Sequence, residues 1–489
     1  MIRPLRVSSV VLAAIVVLCT SCESQRPSPD SGPGADGDGD VSLGDIRHGT
    51  DGDASVPGIE DLAAIPNPSN PLSYYVEWET EENAKTKLVV RCGDDWKQTY
   101  QSDELTTRHS VFVMGLWDGA MCKFEASVPG GVGAHATETV TVKVGAIIED
   151  LPAMNVLVRK TGKMREGWTL VNLTNAFERY PLVVALVDER GRYRWYHQLS
   201  TKDPGADTDV RTLGDDRILV GGNRGMMGPR LLDWEGDLVW KEGVDSVRMH
   251  HDIRSTDGGK FFYWVGNAEE CSGGSYKSDA IVKYDRMEET IVERRPFCDY
   301  FQPPGNNPNN DWDHVNTLEF FPDGESVLVS ARNVHTLFKI NLAEDKLEWK
   351  LGLHGDFGLP EKQRFYRQHA PELLSNGNIL LYDNGSYRKS RNRRYSRAVE
   401  YTFDSDKMTA EEVWSYRPDD PIFTPIWGDA DRLDNGNTLV TFGYRNRKNH
   451  SRLQEVTRSK EKVWDVELPI TWGWYRAERV TELPTGYVE

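Results

Sequence analysis

The chain has 489 residues, of which 27% are charged and 38% hydrophobic, and a formal net charge of −18. That length exceeds one ordinary domain, so at least two are expected. The negative balance argues against nucleic acid as a partner, because neutralising phosphates needs a basic face, whereas one local basic pocket can still receive a small anion.

The N-terminus reads as an export signal. Arg3 and Arg6 precede the short apolar run Val10 to Leu18, and the small residues Thr20 and Ser21 precede Cys22. Residues 1–21 are expected to be a lipoprotein signal peptide, with Cys22 lipidated and the exported protein either periplasmic or anchored at the outer membrane. No other apolar stretch approaches transmembrane length. Residues 22–58 are rich in Asp, Gly, Ser and Pro and are expected to form a disordered tether. Within it, the Asp36 to Asp40 run only partly matches a calcium loop, since Val41 stands where Gly is needed and Arg47 where Glu is needed.

Residues 59–146 are expected to be a small β-sandwich. Tyr74 to Trp78, Lys87 to Arg91, Ser110 to Met114 and Thr139 to Lys143 are β-branched and aromatic runs at short spacing. Nothing in this stretch suggests chemistry, and spacing or docking is its expected role. With Cys19 in the signal and Cys22 lipidated, four of the six cysteines remain. Pairing Cys92 with Cys122 and Cys271 with Cys298 uses all four in an oxidising compartment. No C-x-x-C pair supports a zinc site, and no metal is expected.

From residue 147 to 489 one phrase recurs. A polar segment runs into a Gly-containing turn and an apolar strand, as at Leu373 to Leu381, Leu433 to Val440, Phe320 to Val329 and Asp209 to Val220, and more loosely at His250 to Tyr263. Most copies close on an aromatic tag, at Trp195, Trp240, Trp349, Trp414 and Trp464. About six units of roughly 35 to 55 residues suit four-stranded blades. The predicted fold is all-β, a six-bladed β-propeller preceded by the small sandwich, with the tail Tyr475 to Val480 completing the first blade.

In such a repeat, matching positions converge at one mouth of the central channel. His250, Asn316 and His369 share a phase relative to Gly258, Gly324 and Gly377, and His314 lies two residues earlier on the same face. Arg332 follows in the next strand of the His314 copy. Strand phase favours His250 over its neighbour His251. A site with several histidines, an arginine and few carboxylates suits nucleophilic or acid–base chemistry on an oxyanion. No nucleotide-cradling G-x-x-x-x-G-K-[ST] loop is present. Trp312, Tyr366 and Trp427 are candidate walls for an aromatic substrate. The basic run of Arg388, Lys389, Arg391, Arg393, Arg394 and Arg397 reads as a solvated loop or a rim that attracts anions.

Taken together, His250-His251-Asp252, Asp311 to Asn316, Val329 to Asn333, Gln368-His369, Leu380 to Gly385 and Tyr395 to Tyr401 resemble the bacterial aryl-sulfate sulfotransferases. These are exported six-bladed propellers that move a sulfuryl group between phenols without a nucleotide donor or other cofactor. The resemblance implies that His369 is transiently sulfated, that His314 and Arg332 hold the sulfuryl oxygens with Asn316 close by, and that the His250-His251 pair supplies a further active-site histidine. An aryl sulfate donor and a phenolic acceptor are the implied partners, and a homodimer is compatible with the chain. The competing expectation is a non-catalytic lipoprotein propeller that binds a partner or an envelope polymer.

Overall fold

The computed structural model describes residues 57–487 apart from 95, 130–134, 176–181, 200–207, 215, 222–227, 243–248, 273–275, 304–310, 389–393, 445–448 and 483–485. The signal segment, Cys22 and nearly all of the tether lie outside the described residues. No helix of the described residues is long and apolar enough to cross a membrane.

The described residues are all-β and form eight antiparallel sheets, seven of four strands and one of five. Two sheets come from the stretch between Ile59 and Lys143, and short contact from Gly486–Tyr487 extends one of them along Thr106–Val113. The other six follow in chain order over 168–198, 210–241, 249–296, 315–352, 369–416 and 429–467. The turns explain their regularity. Gly324, Gly377 and Gly436 sit at φ between 69° and 83° between successive strands, a left-handed conformation that glycine adopts at little cost.

The chain interlocks its ends through these sheets. Trp472–Val480 pairs with Trp168–Asn175, so the closing tail joins the first of the six as the sequence suggested. Asn155–Arg159 in turn adds a fifth strand to the sixth sheet, against Lys462–Glu467. The first-lying strands Met249–Thr256, Val315–Phe320, His369–Leu373 and Asp429–Arg432 pack side by side in that order, and Trp472–Val480 touches both Asp429–Arg432 and Val210–Leu213.

Three of the aromatic tags join their sheet to another by a hydrogen bond. The indole N–H of Trp195 donates to Trp234 O at 2.7 Å, that of Trp414 to Arg458 O at 2.9 Å, and that of Trp464 to Glu189 O at 2.9 Å, which ties the sixth sheet to the first. A buried indole needs such a partner, and the recurring Trp meets it by bridging two sheets. Apolar clusters fill the layers between sheets, for example Leu328 and Leu337 against Ile379, Leu381 and Val399. The two N-terminal sheets share one core with the first and sixth, through Val90, Phe124, Val171, Leu173 and Trp464. Both expected disulfides are present, Cys92 with Cys122 and Cys271 with Cys298.

Candidate active site

Three of the inner strands begin with a histidine and a kink together. Register slips between His250 and Ile253, between Val315 and Thr317, and between His369 and Glu372. At the same points φ turns positive, to 66° at His251, 48° at His314 and 46° at Ala370. Non-glycine residues rarely adopt this region, and bulges of this kind re-aim side chains. Side-chain alternation therefore fails where the histidines stand.

The kinks gather the rings. His251 lies 4.7 Å from His314 and 5.8 Å from Tyr475, and His250 lies 4.6 Å from His251 and 6.2 Å from His314, all between ring centroids. His369 meets the same Tyr475 at 6.3 Å. Strand phase favoured His250, yet His251 is the nearer to His314. The bulge between His250 and Ile253 is what phase could not anticipate.

His369 is fully buried in the site, and its protonation is constrained. Its Nδ1 is 2.6 Å from Asn384 Oδ1. The Asn384 amide nitrogen donates to Thr424 O and Trp427 O, both at 2.9 Å, so the oxygen of that side chain must face the ring. An amide oxygen only accepts, hence the proton sits on Nδ1 and the lone pair on Nε2. Burial, then the positive charge of Arg332, hold His369 well below the usual histidine range, against the opposing pull of Asn384. The ring is neutral at physiological pH.

His314 repeats the arrangement with a different partner. Its Nδ1 is 2.8 Å from Asp311 Oδ1. Burial lowers its pKa, partly offset by Asp311, and Arg332 lowers it further. The Arg332 guanidinium thus acts on both rings while donating to Asn333 Oδ1 and Pro425 O at 3.1 Å each. Asn316 lies beside the strand of His369, where its amide nitrogen donates to Gln368 O at 2.8 Å.

The three aromatic candidates lie in different settings. Trp312 packs in an apolar cluster with Phe297 and Phe338, its N–H on Lys277 O at 3.0 Å. Tyr366 has its ring 5.5 Å from His335. Trp427, at φ 61°, covers Gly443 and Gly473: an added Cβ would meet its Cβ at the first and its ring at the second. In the basic run, Arg388 and Arg397 both pair with buried Asp383, and Arg394 lies over Phe423. Lys389, Arg391 and Arg393 lie outside the described residues.

Sequence reading missed Asn384, Asp279, Tyr475 and Arg476. Asn384 had a usable signal: it is the first residue after Ile379–Asp383, as Arg332 is the first after Ser326–Ala331. Arg476 lies further along the inner strands. It donates to Asp252 at 2.9 Å, Thr317 at 3.0 Å and Asn316 O at 3.1 Å, and pairs with Asp209 at 3.1 Å. A cavity of about 340 Å³ opens there, bordered by Arg211, Arg476, Asp429 and Asp431 but by none of the four histidines.

The chain belongs to the arylsulfotransferase (ASST) family, whose profile matches residues 154–476. Among curated proteins it is similar to the arylsulfate sulfotransferase AssT of Escherichia coli O6:H1 (strain CFT073), with 27% identity over 187 residues. That match spans 30% of this chain and 30% of the relative. Similar solved structures include the periplasmic gluconolactonase PpgL of Pseudomonas aeruginosa (10% identity, 83% of this chain and 99% of that chain, TM-score 0.34). Another is the β-propeller domain of Cps50 (Swd1) from Myceliophteria thermophila (12% identity, 65% and 90%, TM-score 0.37).

Proposed function

We propose that the protein transfers a sulfuryl group from a phenolic sulfate ester to a phenolic acceptor, through a sulfohistidine at His369. The supporting observation is the state of that ring: buried, neutral, with Nδ1 tied to Asn384 and the lone pair on Nε2. In this reading the six successive sheets are the blades of a propeller, residues 59–146 are a docked sandwich, and Cys22 anchors the exported chain to a membrane.

The reaction has two in-line halves. His369 Nε2 attacks sulfur, the S–O bond to the donor phenol breaks, and the leaving oxygen keeps the electron pair. An acceptor phenol then gives up its proton and attacks the same sulfur, the S–N bond breaks, and the pair returns to Nε2. Arg332 offers fixed donors to the equatorial oxygens, with His314 and Asn316 nearby. A neutral nucleophile beside a guanidinium suits an anionic sulfate, because the donor is attracted while the lone pair stays available.

The test is release of p-nitrophenol from p-nitrophenyl sulfate with and without added phenol. Acceptor-dependent release is expected; acceptor-independent release would mean a sulfatase, and no release would favour a binding protein. In the absence of acceptor, the His369 peptide is expected to gain about 80 Da, one sulfuryl group, as covalent catalysis requires. His369→Ala should lower turnover by at least about 10,000-fold with the melting temperature little changed. Wild-type activity in that folded variant would overturn the assignment.

A further inference from the structure

A row of buried groups leads away from the sulfuryl site and is not used by the steps above. His250 Nε2 lies 3.0 Å from Asp279 Oδ1, and the other Asp279 oxygen accepts the Val315 amide at 2.7 Å. On its far side, His250 Nδ1 is hydrogen-bonded to His251 Nδ1. All three side chains are buried, at 2 to 3% exposure.

Hydrogen-bond logic fixes the protons in this row. A carboxylate only accepts, so His250 Nε2 must carry a proton. Neutral His250 then presents its Nδ1 as an acceptor, which requires that His251 hold its proton on Nδ1. The lone pair of His251 is therefore on Nε2, and this is the ring that lies beside His314 and Tyr475. The positive φ of His251 directs the ring this way.

Asp279 is itself held from the neighbouring sheet. Its amide donates to Asp313 Oδ2 at 2.9 Å, and Asp313 Oδ1 accepts the His314 amide at 2.9 Å. Burial and the adjacent Asp279 charge push the Asp313 carboxyl well above the usual range. Across the site, His314 and Tyr475 face the two histidines, and two cations lie behind them: Arg332, which acts on His314 and His369, and Arg476, which acts on His369 and lies over the Tyr475 ring.

We infer that Asp279 is a positioning residue that acts through His250 to keep His251 in the tautomer that exchanges the phenolic proton. This rests on the transfer reading above and deepens it. In the second half, His251 Nε2 takes the acceptor's O–H proton as oxygen bonds to sulfur and the S–N bond to His369 breaks. In the first half the donor's phenol leaves as phenolate with the S–O electron pair and takes its proton from solvent, and after the second half His251 releases the acceptor's proton to solvent. The proton count closes over one cycle, and the positive charge on His251 is met through His250 by Asp279.

Asp279→Asn separates this from a structural role. Its amide nitrogen can donate to His250, which reverses the tautomer of His250 and then of His251. With p-nitrophenyl sulfate, whose leaving group needs little protonation, sulfation of His369 should be far less affected than transfer from sulfohistidine to unsubstituted phenol. The second step should slow by about 100- to 10,000-fold relative to the first, the size seen when a histidine base loses its orienting carboxylate. Its pH limb should also move to lower pH, because the carboxylate no longer stabilises the imidazolium. Equal slowing of both halves with an unmoved limb would overturn the inference. Nitrogen-15 NMR of wild-type protein labelled in histidine gives a reading independent of turnover: His251 protonated on Nδ1 is expected, and Nε2 protonation would also overturn it. Absence of a His369 adduct in wild type would instead reject the transfer reading, and the NMR result alone would then decide the relay.

Discussion

Two buried polar groups lie along the same inner strands and are built on opposite principles. Where the strands start, His250, His251, His314 and His369 are uncrowded by carboxylates except for one partner each to His250 and His314. Further along, Asp209, Asp252, Asp429, Asp431, Glu319, Glu372 and Glu478 interleave with Arg211, Arg254, Arg432 and Arg476. In the first group a hydrogen bond at Nδ1 selects the tautomer of His369 and of His314, while both nitrogens of His250 are hydrogen-bonded. In the second, charges neutralise one another: against the upward push of burial, Arg254 and Arg476 hold Asp252 below the usual carboxylate range. Burial alone does not make a site reactive. What differs is whether a buried group sits among opposing charges or beside a partner that selects which atom carries the proton.

The comparison breaks first, and with the largest effect, at its two arginines. Arg476→Met removes one guanidinium from Asp209 and Asp252, both fully buried, and leaves them Arg211 and Arg254. Breaking a buried ion network at one partner should cost about 3–5 kcal/mol of stability, read from denaturant unfolding. A loss under about 1 kcal/mol would mean that the ion network is not what holds these strands in register. Arg332→Ala should do the converse. Its guanidinium makes two hydrogen bonds to Asn333 and Pro425, so stability should fall by only about 1 kcal/mol. Turnover should fall about 100- to 1000-fold, the usual size of losing one charge-stabilising donor. An unfolded Arg332→Ala protein, or one with full activity, would erase the distinction between the two ends.

The sequence and the structure agree where the information is local. Glycine turns and Val/Ile/Leu runs announced the repeated sheets, and the recurring Trp marked the late strand of five of the six, although its job of bridging to another sheet is a tertiary fact. His369, His314 and Arg332 could be read as neighbours because the repeat carries them close together, and Arg332 does act on both rings. The bulges were not legible: nothing in Met-His-His-Asp-Ile says that two adjacent histidines will share a face, since that depends on how Met249–Thr256 is paired with Phe261–Glu270. Asp279 and Arg476 were missed for a related reason. Asp279 acts on His250 from two strands away in the same sheet, 29 positions on, and Arg476 acts across sheets on Asp209, 267 positions away, and no spacing rule reaches either.

A smaller effect sharpens the comparison through pH. Burial, followed by the charge of Arg367, lowers His335 to about 4, close to the histidine group. Burial, with the charges of Glu319 and Asp429 adding to it, raises Glu372 to about 7 among the carboxylates. The two shifts have opposite consequences. Between pH 6.5 and 4 the unfolded chain protonates His335 while the folded chain does not, so stability present above 6.5 is lost as pH falls. Between pH 4.5 and 7 the folded chain keeps the proton on Glu372 while the unfolded chain releases it, so stability present below 4.5 is lost as pH rises. His335→Gln should therefore gain on wild type toward pH 4, and Glu372→Gln should gain toward pH 8, each by on the order of 1–2 kcal/mol. Urea midpoints for the three proteins across pH 4 to 8 decide it. Divergent slopes are expected from a neutral-ring region and a crowded-carboxylate region, and parallel slopes would show that both respond to acid in the same way.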